Sequence, residues 1–180
     1  PRIATRPADG GAERVVWRDP FIIEPVDWSP DGRWILAEAG SAAGRTDLML
    51  VPADGSGGVV PFANQRFNED SGRFSPDGRF IAYVSDESGR AEIYVEPMAR
   101  TGAKWLVSGR GGNAPRWSAG GRELLYVEPA AREADSTLTS VRVEPQGDGL
   151  AFSQATAVAP VPSLDIELAA GGRELLVTVP

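Results

Sequence analysis

One turn motif recurs along the chain and constrains the fold more than any other feature. It reads Val26-Asp27-Trp28-Ser29-Pro30-Asp31-Gly32-Arg33, then Gly72-Arg73-Phe74-Ser75-Pro76-Asp77-Gly78-Arg79, then Pro115-Arg116-Trp117-Ser118-Ala119-Gly120-Gly121-Arg122. A degenerate fourth copy runs Glu167-Leu168-Ala169-Ala170-Gly171-Gly172-Arg173. The last glycine of each copy falls at 32, 78, 121 and 172, at spacings of 46, 43 and 51. A second marker recurs out of phase. Pro7, Pro52, Pro97 and Pro145 each end an extended run and open a glycine-rich turn, at spacings of 45, 45 and 48. Two markers sharing one period of about 45 residues identify a repeat architecture.

Each period holds short strand-like pieces. Strand A leads into the turn motif, and strand B follows it, as in Trp34–Ala37, Phe80–Val84 and Glu123–Val127. Strand C precedes the marker proline: Leu48–Val51, Glu92–Val95 and Leu138–Val143. Strand D comes after it: Arg14–Trp17, Val59–Phe62 and Lys104–Val107. Asp-Gly between two apolar runs is a hairpin signal, because the turn needs residues that tolerate positive φ. Strands B and C are nearly continuous apolar runs, so both of their faces are buried. Four-stranded sheets stacked around an axis do this, and the expected fold is an all-β propeller of four-stranded antiparallel blades. The expected units are a half blade at 1–18 (strands C and D), blades at 19–63, 64–108 and 109–160, and a half blade at 161–180 (strands A and B). The stretch 130–134 reads as a loop insertion.

Composition agrees. The 21 glycines and 15 prolines are a fifth of the 180 residues and argue against a helical bundle. A hydrophobic content of 42% supplies a core. Against 18 Lys and Arg stand 25 Asp and Glu, a net charge of −7 without any basic cluster, which excludes a nucleic-acid footprint. No run of about 18 apolar residues inserts into a membrane. The chain has no Cys and no His. That removes thiol nucleophiles, Ser-His-Asp triads, disulfides and His- or Cys-based zinc sites. No catalytic constellation, cofactor motif or metal loop is present, and no cofactor is expected.

The segment from Arg73 through Ser75-Pro76-Asp77-Gly78-Arg79-Phe80-Ile81-Ala82-Tyr83-Val84 to Glu92-Ile93-Tyr94-Val95 resembles the TolB-like, WD-repeat-like propeller repeats of bacteria. The chain as a whole resembles the propeller region of bacterial eukaryotic-like serine/threonine protein kinases. Related propellers occur in periplasmic TolB and in front of prolyl-oligopeptidase hydrolases. The resemblance implies a non-enzymatic binding, sensing or scaffolding module of a larger protein. It also implies a protein or peptide partner and a periplasmic or other extracytoplasmic location, with the cytoplasm as the alternative. The alternative is an enzyme's propeller, either the gating domain of a serine hydrolase or a glycosidase channel worked by carboxylates.

Family rings close with about six to eight blades. The chain begins mid-blade at Pro1, so the expectation is an excerpt of a larger ring, with exposed edges that favour self-association. In a closed four-bladed ring, Ile3 to Arg6 would instead pair beside Leu175 to Val179. The aromatics Trp28, Phe74 and Trp117 are expected to pack between blades. Asp31-Gly32, Asp77-Gly78 and Gly121 are expected to serve the turns, the Asp side chains capping their own backbone rather than holding a metal. In propellers the D–A and B–C loops share one face. That face groups Arg66, Asn68 and Glu69 with Asp86, Glu87 and Arg90 and with Arg110 and Asn113, and is the expected binding surface.

Overall fold

The computed structural model describes residues 1–132, 135–162, 166–168 and 175–177. Among these no residue lies in an α-helix, and the strands pair antiparallel throughout. β1 (Arg2–Thr5) and β2 (Arg14–Arg18) form a two-stranded sheet. The next sheet is β3 (Ile23–Trp28), β4 (Trp34–Gly40), β5 (Thr46–Pro52) and β6 (Val60–Ala63), paired in that order. The following one is β7 (Glu69–Phe74), β8 (Phe80–Ser85), β9 (Glu92–Pro97) and β10 (Trp105–Leu106). Then come β11 (Asn113–Trp117), β12 (Glu123–Glu128), β13 (Ser136–Gln146), β14 (Gly149–Phe152) and β15 (Thr156–Val161). β16 (Ile166–Leu168) pairs with β17 (Leu175–Val177).

The last full sheet departs from the expected four strands. β13 is 11 residues long, and its outer edge carries two partners. β14 pairs with Val143–Gln146, and β15 pairs with Ser136–Ser140. A third strand of ordinary length would leave room for one.

The Ser-Pro-Asp-Gly motif makes a four-residue loop, not a two-residue turn. Only its glycine takes positive φ: +71° at Gly32 and +69° at Gly78. Gly32 N–H donates to the Ser29 carbonyl at 2.8 Å, and Ser29 N–H donates to the Trp34 carbonyl at 2.8 Å. This is a type I turn with Pro at its second position, followed by a left-handed glycine. Ser29 Oγ donates to Asp31 Oδ1 at 2.6 Å and accepts Trp34 N–H at 2.9 Å. Ser75 and Asp77 repeat the same contacts. The Ala119-Gly120 copy keeps the loop without the aspartate, because Ser118 Oγ still accepts Glu123 N–H at 3.1 Å. The turns also pack on one another. A Cβ on Gly78 would lie 3.5 Å from Pro30 Cδ, and one on Gly121 would lie 3.5 Å from Pro76 Cδ.

The cores lie between sheets, which is why the B and C strands carry no polar face. Ile81 and Tyr83 of β8 pack with Leu36, Leu48, Leu50 and Phe62 of the sheet in front. Phe80, Ala82 and Val84 of the same strand pack with Leu124, Tyr126 and Val141 of the sheet behind. Gly72 lets β7 press against the preceding sheet, since a Cβ there would lie 2.5 Å from Leu36 Cδ2. β1 and β2 cover Ile35, Ala37 and Val51 through Ile3 and Val16. No described strand joins β1 to β17, and Glu174, Thr178 and Val179 lie outside the described residues.

The three aromatics of the motif are not equivalent. Phe74 is 6% exposed within the seam between the second and third sheets. Trp117 is half-buried, and its Nε1 donates to the Arg73 carbonyl at 3.2 Å. Trp28, expected between blades, is 50% exposed. The sheet in front of β3 holds only β1 and β2, so no described inner strand lies there to cover the indole. Phe74→Ala should therefore cost about 3–5 kcal/mol, the usual range for emptying a buried aromatic site. Trp28→Ala should cost about 1 kcal/mol or less. Urea denaturation of the two variants decides this, and equal losses would contradict it.

Candidate functional site

The expected loop face is assembled as a set of clasps. Asn68 and Asp86 meet directly: Asn68 N–H donates to Asp86 Oδ1 at 2.9 Å and its Nδ2 to Oδ2 at 2.7 Å. Asp86 N–H returns to the Asn68 carbonyl at 3.3 Å. The amide oxygen of Asn68 also accepts Thr46 N–H, 3.3 Å away in the preceding sheet. The hydrogen bonds from Asn68 hold the Asp86 carboxyl below the usual range. Glu87 turns inward to Lys104 at 2.8 Å, and Lys104 lies above the Tyr94 ring. Burial works against the Lys104 charge, but contacts with Glu87 and Glu96 outweigh it and hold its pKa up.

The remaining candidates divide. Arg90 pairs at 2.6 Å with Glu92, a buried carboxylate that also accepts Ser108 Oγ–H and, at 3.0 Å, Gly111 N–H. Arg110 pairs with Glu128 at 3.1 Å. Arg66 is exposed and lies over the Phe67 ring. Asn113 is half-buried at the start of β11. Glu69, placed on the face by its position in the D–A loop, is 2% exposed and belongs to the interior of β7. Asp31 and Asp77 serve their turns, each accepting from its own Ser and from the backbone two residues on.

A second cluster lies on the inner strands. Asp27, Arg73, Arg116 and Glu167 each stand five residues before a turn glycine of the motif. Arg116 grips Glu167 with two bonds, NH2 to Oε1 at 2.7 Å and Nε to Oε2 at 3.1 Å. Arg73 reaches the same carboxylate at 3.5 Å. Asp27 Oδ2 accepts the N–H of Phe74 at 2.7 Å across the seam, and Oδ1 accepts its own Trp28 N–H at 2.8 Å. Burial pushes Asp27 up against those bonds, while Arg116 holds Glu167 down despite burial. The signal for this cluster was one column of the repeat alignment, which carries a charge in every copy: acidic at Asp27, basic at Arg73 and Arg116, acidic again at Glu167.

Arg45-x-Asp47 occupies the repeat position of Arg90-x-Glu92. Aspartate is one methylene shorter. Where Glu92 is fully engaged, the buried Arg45 Nε and Asp47 Oδ1 have no hydrogen-bond partner, and neither has Glu69 Oε2. Desolvation, then the Asp47 charge, push the Glu69 carboxyl up to about 7, against the pull of Lys104. A carboxyl raised in the folded state binds its proton more tightly there than when unfolded. Its contribution to stability is therefore full below about pH 4.5 and is lost as pH rises to about 7. Glu69→Gln should leave the melting temperature nearly unchanged at pH 4 and raise it at pH 8. A melting series across that range tests this, and a variant destabilised equally at both ends would contradict it.

No family model matches the chain. Over 106 residues it is 41% identical to the Tol-Pal system protein TolB of Anaeromyxobacter dehalogenans, a match covering 59% of this chain. The chain spans only 24% of that relative's length. Among solved structures, a TolB of Agrobacterium tumefaciens superposes with a TM-score of 0.68 at 20% identity, over 88% of this chain and 58% of that one. The β-propeller domain of the Trilobed protease from Pyrococcus furiosus superposes with a TM-score of 0.54 at 14% identity, over 77% of this chain and 43% of that one. At such identities the two structures speak for the fold alone. Repeat sequence and sheet architecture together make the chain a TolB-like β-propeller.

Proposed function

We propose that the chain is the propeller of a non-enzymatic, protein-binding module that works outside the cytoplasm. In this reading 19–63, 64–108 and 109–160 are blades of one ring, and 1–18 and 161–180 are half blades. Its binding surface is the face formed by the D–A and B–C loops. The observation that carries the reading is the state of the inner-strand charges. Asp27 is engaged by two backbone N–H groups and Glu167 by two arginines. A carboxylate pair working as acid and nucleophile needs both members open to substrate. Glu167 is 56% exposed, but Arg116 takes both of its oxygens, and Asp27 is engaged by backbone, so these two tie strands together. The D–A and B–C loops are clasped to one another by Asn68 with Asp86, which suits recognition of a preformed partner surface. The likeness to a Tol-Pal system protein supports a partner within a multi-protein assembly. The second reading, a propeller gating a peptidase, rests on fold likeness to the Pyrococcus furiosus protease.

A photo-crosslinking amino acid tests the surface. Placed at Arg66 or Arg110 on the loop face of the protein in its own cells, it should yield discrete protein adducts. Placed at Arg79 or Arg122 beside the A–B turns, it should not. Adducts confined to the turn side, or none from either, would overturn the assignment.

A further inference from the structure

The loop entering β3 leaves two large apolar side chains in water. Phe21 is 42% exposed and Ile22 is 77% exposed. The backbone beneath them is fixed. Phe21 N–H donates to Asp19 Oδ1 at 3.0 Å, and the Ile22 carbonyl accepts Gly40 N–H at 2.8 Å. Rigid, solvent-facing apolar anchors of this kind give binding energy at little ordering cost. They wall a cavity of about 330 Å³ that also takes in Glu24 and Glu38. Glu24 has no ion-pair partner among the described residues. Glu38 accepts Ser71 N–H at 2.7 Å, and its carboxyl is pushed up by burial and by the charges of Asp70 and Glu24. Arg45 lines the cavity too, but makes no ion pair with either carboxylate among the described residues. With two carboxylates against one arginine, the lining keeps a net negative charge beside the apolar pair, which repels acidic partners and attracts basic ones.

We propose that Phe21, Ile22, Glu24 and Glu38 form a docking site for a basic, apolar-anchored segment of a partner protein. An apolar side chain of the segment seats between Phe21 and Ile22, and a neighbouring lysine or arginine meets the two carboxylates. This rests on the binding-module reading and supplies the chemistry of its partner. Neither carboxylate has to move, because the site is already formed in the free chain.

The test is fluorescence anisotropy of the full chain with a labelled ten-residue peptide of alternating Leu and Lys. A Leu/Glu peptide and a Ser/Lys peptide serve as controls. The Leu/Lys peptide should bind, more weakly as salt rises, and both controls should fail. Ile22→Ser should weaken binding about tenfold and Glu24→Gln about threefold, with melting temperatures unchanged because both side chains face water. Binding of the Leu/Glu peptide, or undiminished binding by Ile22→Ser, overturns the proposal. So does a fall in melting temperature on Ile22→Ser, which would show the patch covered by the protein itself or by a second copy. Loop-face crosslinks without Leu/Lys binding would refute this partner chemistry while the module reading stands.

Discussion

The structure depends on what each inner strand does to the sheet in front of it. Apolar burial supplies most of the favourable free energy between sheets, but it does not fix one sliding position. Directional contacts do. Asp27 reaches forward to the backbone N–H of Phe74, and Trp117 reaches back to the carbonyl of Arg73. Gly72 allows β7 to come within contact of Leu36 and Leu48, so these bonds close at full strength. The stacked turn prolines and glycines repeat the device at the strand ends. Remove the inner-strand bonds and the cores would remain, with only the stacked turns and the contacts of Glu38 and Asn68 left to define their register.

Much of this was legible in the sequence because it is local and repeated. The turn at Ser75-Pro76-Asp77-Gly78 closes within six residues through its own side chains, so its residues dictate it wherever they occur. The unbroken apolar run Phe80–Val84 indicated burial on both faces, and the strand it belongs to, Phe80–Ser85, is buried throughout. Other features required the fold. Asp27 meets Phe74 from 47 residues away, and Arg116 meets Glu167 from 51. Such pairs are visible only once the repeat places them side by side. The exposure of Trp28 depends on which strands stand in front of it, a property of neighbours and not of its own motif. The fifth strand beside β13 follows from that strand's length, which its apolar pattern understated.

The candidate site shows the same division. Loop position put Asn68 and Asp86 in neighbouring loops, and the two side chains are hydrogen-bonded. Composition could not say which charged residues face outward. Glu69 and Glu87 turn in, where they join Lys104, Tyr83 and Asp47 between the sheets. Phe21 and Ile22 stand clear of the strand they lead into, and no motif of the sequence singled them out. The function of a propeller lies in such departures from its repeat. The repeated residues maintain the ring, and the unrepeated ones are free to recognise something else.

Amide hydrogen exchange at Phe74 tests the seam most directly. Its N–H donates to Asp27 Oδ2 from one sheet to the next, outside either sheet's own ladder. In Asp27→Ala, protection of the Phe74 amide should fall by at least about tenfold, while the amides of Ile81 and Val95, inside the third sheet, keep theirs. Unchanged protection at Phe74, or a uniform loss across the whole sheet, would contradict the claim that this contact fixes the blades against each other.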